Sequence, residues 1–451
     1  MSTYDLLVRG ATVVSSRGCL DADVAVADGL VAAAGPELEG AAREEVDGTG
    51  LHLFPGVIDC HVHFNDPGRT DWEGLAHGTR ALAAGGSTMF VDMPLNASPP
   101  TLDAASFDLK VAAASGAAAV DFALWGGLVP GDPDRLDELA ERGVVGFKAF
   151  MCPTGMDDFP AADDGTLREG MKRAAALGLP VAVHAESAEL TTRLAAQAVS
   201  EGRTSMRDYL ASRPVAAELE AIGRAIGLSE ETGCSLHVVH VSTGRGVRLV
   251  AAARAGGADV TCETCPHYLA LDEEDAQQLG LVAKCSPPLR PRNDLDDLWR
   301  AVLDGLVDFV ASDHSPSPPE LKSGDDAFAA WGGIAGCQTL LRVLLTEGPP
   351  RGLGPEEIAR LTSAGPARRF RLAGKGSLAP GADADITLVD IDHEAPLTPD
   401  ELCSRHQLSP FAGRLLRGRI VRTFVRGSTV YREGVIVGQP IGRLVRPDMR
   451  G

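Results

Sequence analysis

"VIDCHVHF", residues 57–64, is an apolar run that ends in two histidines one residue apart. Pro55 and Gly56 precede it and "NDPGRTDWEG" (65–74) follows, so turn residues bound it on both sides and it reads as a buried strand. Histidines two apart on a strand share a face. Taken alone, His61 and His63 fit a hydrogen-bonded pair as well as they fit a metal site.

Outward from this run, seven more short runs of similar texture follow: "STMFVDM" (87–93), "DFALWGG" (121–127), "VVGFKAF" (144–150), "PVAVHAE" (180–186), "SLHVVHVS" (235–242), "ADVTCET" (258–264) and "VDFVASD" (307–313). Between several of them lie helical stretches closed by glycine, such as "DPDRLDELAERG" (132–143), "TLREGMKRAAALG" (166–178) and "AAELEAIGRAIGLSEETG" (216–233). Eight strands alternating with helices predict an α/β fold, a (β/α)8 TIM-like barrel over residues 54–376. The Pro-rich "SPSPPELKSG" (315–324) after the eighth strand reads as an active-site loop.

The two ends differ from this middle. "YDLLVRGATVV", "DADVAVADGLVAAAG" and "LHLFPG" near the start, and "GSLAPGADADITLVD" and "GRIVRTFVRGSTVYREGVIVG" near the end, read as short strands with turns. They predict one small β-sandwich domain built from residues 1–53 and 377–451, with the barrel inserted between them.

With 451 residues, 44% hydrophobic and 23% charged, the chain can bury a large core across two domains. A formal charge of −20 has the wrong sign for nucleic acid or an anionic membrane surface, and fits a solvated acidic exterior. The first residues, "MSTYDLLVRG", lack the pattern of a signal peptide, and no long uncharged apolar run follows, so a cytoplasmic location is expected. Nine scattered cysteines read as reduced thiols, and the Cys262-x-x-Cys265 pair has no second pair to complete a zinc ribbon.

In such a barrel, chemistry sits where strands end and their following loops begin. His61 and His63 end the first strand, Lys148 the fourth, His184 the fifth, His240 the sixth and Asp313 the eighth. Singly, Lys148 would be a snorkelling or ion-paired residue, and His184 or Asp313 a structural group. Jointly they converge on one rim, a coincidence that unrelated structural roles do not produce. His237 precedes His240 by three residues, which on a strand sends the two to opposite faces; the ligand is assigned to His240, and His237 is expected to be packed and hydrogen-bonded. His267 and His314 fit either partners that orient a ligand or plain loop residues, and His77 reads as structural.

These residues and their order, "PGVIDCHVHF", "GFKAFM", "VAVHAE", "LHVVHVS", "TCETCPHY", "KCSPPLR", "SDHSP" and "GSLAPGADADI", resemble the amidohydrolase superfamily in its cyclic-amide branch of dihydroorotase, dihydropyrimidinase, hydantoinase and allantoinase. The allantoinase pattern is the most similar. That resemblance implies two divalent metal ions, usually zinc, with His61 and His63 on one, His184 and His240 on the other, and Lys148 carboxylated on its amine as the bridge. Asp313 would ligate the first ion and act as general acid/base. It further implies opening of allantoin to allantoate in purine breakdown, and, by analogy of fold, a homotetramer.

Specificity is read from departures. Asn65 stands where dihydroorotases carry an arginine for the substrate carboxylate, and Pro153 where dihydropyrimidinases and hydantoinases carry an oxyanion-binding tyrosine. Asn65, Asn96, Ser286 and the backbone at Gly332 are the expected contacts to a neutral small-molecule substrate, although Asn96 and Gly332 fit turn chemistry equally. A hydantoinase or dihydropyrimidinase of broad specificity is the alternative. Some relatives with this fold have lost the ligands and act as scaffolds, whereas all six positions are filled here.

Overall fold

The computed structural model describes residues 3–449. Its first strands are β1 (Thr3–Ser15), β2 (Gly18–Ala27), β3 (Leu30–Gly35), β4 (Ala41–Asp47) and β5 (His52–Pro55). β1 pairs antiparallel with β2 along one edge and divides its other edge between two parallel partners, β4 before Gly10 and β5 after it. The β1–β2 register slips between Val8 and Ala11, where Gly10 takes φ 64°, so a bulge bends the sheet between the two partners. Leu6, Val8, Val24 and Val26 alternate along these strands and bury a core of their own with Leu53, Ile386, Leu388 and Phe424.

The barrel begins one residue after β5. Its strands are β6 (Val57–Val62), β7 (Ser87–Asp92), β8 (Asp121–Leu124), β9 (Gly126–Gly127), β10 (Phe147–Phe150), β11 (Val181–His184), β12 (Leu236–Val238), β13 (Val260–Thr264) and β14 (Phe309–Val310). β8 and β9 are halves of one strand on either side of Trp125, the first bonded to β7 and the second to β10. All neighbours run parallel. The ring closes where His63 N–H donates to His314 O (2.8 Å) and His314 N–H to His61 O (3.2 Å). These are the eight strands expected, in the expected places.

Helices fill the intervals. Asp164–Leu177 and Val215–Thr232 end at Gly178 and Gly233, which take φ 65° and 69°, a left-handed conformation that glycine adopts without a Cβ clash. Inside the barrel, Ile58, Met89, Val91, Ala123, Trp125, Ala182, Val239, Phe309 and Phe370 form an apolar floor. The polar side chains lie at the strand ends above it.

After the barrel, β15 (Ile386–Pro396) pairs antiparallel with β5, and β16 (Leu415–Val425), β17 (Ser428–Arg432) and β18 (Val435–Ile436) extend the sheet to the order β18-β17-β16-β15-β5-β1-β2-β3, with β4 on β1. Both ends of the chain therefore share one sheet. Lys375 fastens it to the barrel: its ammonium, 2% exposed, lies 2.6 Å from Asp121 of β8 and 2.8 Å from both Asp383 and Asp385. Arg426 also pairs with Asp121. Among the described residues no helix is long and apolar enough to cross a membrane.

Candidate active site

From Asp59 to Val62, β6 advances three residues while β7 advances two, from Phe90 to Asp92. This bulge turns the end of β6 so that both histidine rings face the barrel mouth. Asp59 is buried below them and accepts the Ser312 N–H at 3.0 Å, which ties the end of β6 to the segment after β14. Asp313 follows with φ 46°, and its Oδ1 lies 3.2 Å from His61 Nε2 and 3.5 Å from His63 Nε2. Burial opposes its charge, but the adjacent imidazoles hold its carboxyl well below the usual carboxylate range.

His184 ends β11, and His240 sits two residues beyond β12 with φ 40°. His184 Nδ1 is 3.0 Å from His240 Nε2, and the His240 and His61 ring centroids are 5.3 Å apart, so the four histidines and Asp313 form one cluster. Burial and the neighbouring positive groups keep His240 well below the ordinary histidine value. The Lys148 amine, fully buried, has no hydrogen-bond partner and lies 5.0 Å from the Phe150 ring centre. Burial pushes it down to about 7, against the pull of Glu263 and Asp313.

Two buried carboxylates orient the rings from behind. Glu263 Oε1 is 2.5 Å from His61 Nδ1, and Glu186 Oε2 is 2.8 Å from His184 Nε2 and pairs with Arg213. Ionised carboxylates only accept, so each imidazole donates an N–H to its carboxylate and turns its other ring nitrogen toward the cluster centre. The second ring nitrogens of His61 and His184 face Asp313 at 3.2 Å and His240 at 3.0 Å. Ligand atoms of His61, His63 and Asp313 all lie within 4.8 Å of one another. The donor chemistry, imidazole nitrogen with anionic oxygen, suits a borderline divalent ion.

A cavity of about 470 Å³ opens over the cluster. His61, His63, Asn96, His184, His240, Ser286, Asp313 and Gly332 line it, together with Pro153, Cys152, Tyr209, Arg213, Lys284 and Trp331.

A family model of the amidohydrolases matches residues 52–430. The chain belongs to the amidohydrolase family. This amidohydrolase is 63% identical to the allantoinase of Rubrobacter xylanophilus over 99% of its own length and 98% of that protein's. It is 56% identical to the allantoinase of Solibacter usitatus, over 98% and 97%. Among solved structures it is similar to the L-hydantoinase (dihydropyrimidinase) from Arthrobacter aurescens, with a TM-score of 0.96 at 36% identity, over 98% of this chain and 100% of that one.

Several expected residues of this amidohydrolase behave differently from their sequence reading. Asn65 is not part of the cavity lining: it takes φ 65°, a turn conformation that suits asparagine, and its amide is buried with neither polar atom paired. Asn96 combines both readings, with φ 69° and an amide 3.4 Å from His63 Nδ1. Ser286 Oγ is 2.5 Å from the Tyr209 hydroxyl, and a Cβ on Gly332 would meet nothing closer than 3.8 Å, which leaves its backbone open.

His237 is packed and hydrogen-bonded as expected, but not on the opposite face. β12 ends at Val238 and the left-handed backbone at His240 breaks the alternation, so His237 also points into the barrel and stacks on Phe309. His267 is buried against Tyr268 with Nε2 unpaired, and His314 Nδ1 accepts the Gly336 N–H at 3.2 Å. Cys262 and Cys265 are buried free thiols. Glu263, Glu186, Arg213, Lys284 and Tyr209 escaped the sequence reading, although Glu186, two residues after His184, and Glu263, near the end of the seventh strand, carried a positional signal.

Proposed function

We propose that the chain opens the ring amide of allantoin to give allantoate, with His61, His63 and Asp313 holding one divalent metal ion, His184 and His240 a second, and Lys148 between them as a carbamate. The observation that carries this reading is the cluster of four inward-facing imidazoles, Asp313 and an unpartnered buried amine beneath one cavity. The allantoinases of R. xylanophilus and S. usitatus, so similar over nearly the whole chain, supply the substrate. When bound, divalent ions supply Lewis acidity that makes water a nucleophile near neutrality and polarises a carbonyl.

The residues of the chain do the rest. The neutral Lys148 amine adds to carbon dioxide and loses a proton, which replaces a group that as an ammonium would repel cations with an anion carrying two oxygens. Zinc is the ion we assign, from the mixture of imidazole and oxygen donors. Asp313, ionised at neutral pH, takes the proton of the water that attacks the ring carbonyl. As the ring C–N bond breaks, Asp313 returns that proton to the departing nitrogen. The hydroxyl left on carbon ionises to a carboxylate and releases its proton to solvent, so one carboxylate and one new N–H result, both in the same molecule.

Asn96, Ser286 and the Gly332 backbone line the cavity and would hold the ring by hydrogen bonds, as a neutral substrate requires. We further infer a cytoplasmic homotetramer, which light scattering would test. The deciding experiment is ring opening of allantoin, hydantoin, dihydrouracil and dihydroorotate by zinc-reconstituted protein. Preference for allantoin is the expected result; faster opening of hydantoin or dihydrouracil would replace this reading with the hydantoinase one.

A further inference from the structure

Below the cluster, three side chains that take no part in the reaction form one unbroken chain. The Thr261 hydroxyl is 2.9 Å from His237 Nδ1, His237 Nε2 is 3.2 Å from Glu263 Oε2, and Glu263 Oε1 is 2.5 Å from His61 Nδ1. His237 and Glu263 are wholly buried. Thr261 is half-buried at the far end, where it borders a separate cavity of about 530 Å³ with Asp259, Asp308 and Arg369.

The direction of every hydrogen bond in this chain follows from Glu263. Each of its two oxygens lies within hydrogen-bond distance of one imidazole nitrogen, and an ionised carboxylate only accepts. His61 Nδ1 and His237 Nε2 must therefore both donate. A neutral His237 then has its lone pair on Nδ1 and accepts from the Thr261 hydroxyl. At the other end, His61 Nε2 is left facing Asp313 Oδ1 at 3.2 Å. The His237 ring is itself held in place, stacked on Phe309 at 4.9 Å and edge-on to Phe370 at 5.9 Å.

We propose that Thr261 and His237 are positioning residues for the metal-binding ring of His61, acting through Glu263. The proposal rests on the reading above that His61 holds a metal ion. Without the His237 N–H, Glu263 Oε2 is left unpaired beside the apolar floor. The carboxylate then turns to recover a donor, and the ring of His61 turns with it.

The test compares wild type with His237→Phe, Thr261→Val and Thr261→Ser, each loaded with zinc(II) and dialysed against a graded chelator series. Bound zinc, kcat, KM and the thermal midpoint are measured. A phenyl ring keeps the contacts to Phe309 and Phe370, so His237→Phe should fold and bind zinc about ten- to a hundredfold more weakly, with most of kcat restored at saturating zinc. Thr261→Val should show a smaller loss and Thr261→Ser none. Zinc affinities of His237→Phe and Thr261→Val within about twofold of wild type would overturn the proposal. Should His237→Phe fail to fold, the Thr261 pair decides: equal affinities for the valine and serine variants reject the relay. Wild type that takes up no zinc would instead overturn the metal assignment itself.

Discussion

Glu263 Oε1 lies 2.5 Å from His61 Nδ1, so one buried carboxylate determines which imidazole nitrogen faces Asp313. Its pKa of about 2 in the fold is below the ordinary value of 4.5. A carboxyl depressed on folding stabilises the protein above its unfolded pKa, and that contribution drains away as pH falls from 4.5 toward 2. Metal-free wild type should therefore melt above metal-free Glu263→Gln at pH 7, with the gap closing between pH 4.5 and 2. A gap that stays constant across thermal scans over that range would show that the charge of Glu263 contributes nothing to stability.

Asp313, the proposed proton carrier, has its Oδ1 within 3.5 Å of two imidazoles at the cavity floor. Asp313→Asn should fold normally and lose about a hundredfold to ten-thousandfold in the rate of ring opening, the span typical of general acid/base groups. Steady-state kinetics, normalised to measured metal content, check this. Near-normal turnover would remove Asp313 from proton transfer.

The Lys148 amine, brought down to about 7 by burial, would act as the proposed nucleophile toward carbon dioxide only when neutral. Recovery of activity by metal-depleted protein, given zinc and a fixed concentration of dissolved carbon dioxide, should rise about tenfold per pH unit below 7 and level off above it. A recovery rate independent of pH from 5.5 to 8.5 would argue against this amine as the reacting group.

Lys375 sits among three aspartates at the junction of barrel and terminal sheet. Lys375→Met removes one partner of a buried cluster and leaves uncompensated carboxylates, a loss of about 3–5 kcal/mol. Urea unfolding measures it, and KM for the folded enzyme should not move. A change below about 1 kcal/mol would mean that the carboxylates find other partners.

Much of the architecture could be read from the chain because strands buried on both faces are written as short β-branched runs. His61, His184 and Lys148 were legible for the same reason: a polar residue at the end of such a run stands out. The role of Glu263 was not: it too stands near the end of such a run, but its partner His61 is 202 residues away. Alternation also stops being a guide where a strand stops, which is why His237 and His240 share the barrel interior. Asn65 looked like a substrate contact by position, but its left-handed backbone turns it into the turn itself.

The pairing of β5 with β15 joins Pro55 to Ile386 across most of the chain. During synthesis the edge of β5, directly before the first barrel strand, emerges hundreds of residues ahead of its partner. The nascent protein must carry that bare edge, and the unclosed ring beside it, until β14 and β15 have been made; exposed strand edges are where chains pair with one another. Production of this enzyme should thus be limited by how long the first strands wait, and a ribosome stalled before residue 386 leaves a species that aggregates rather than a smaller working enzyme.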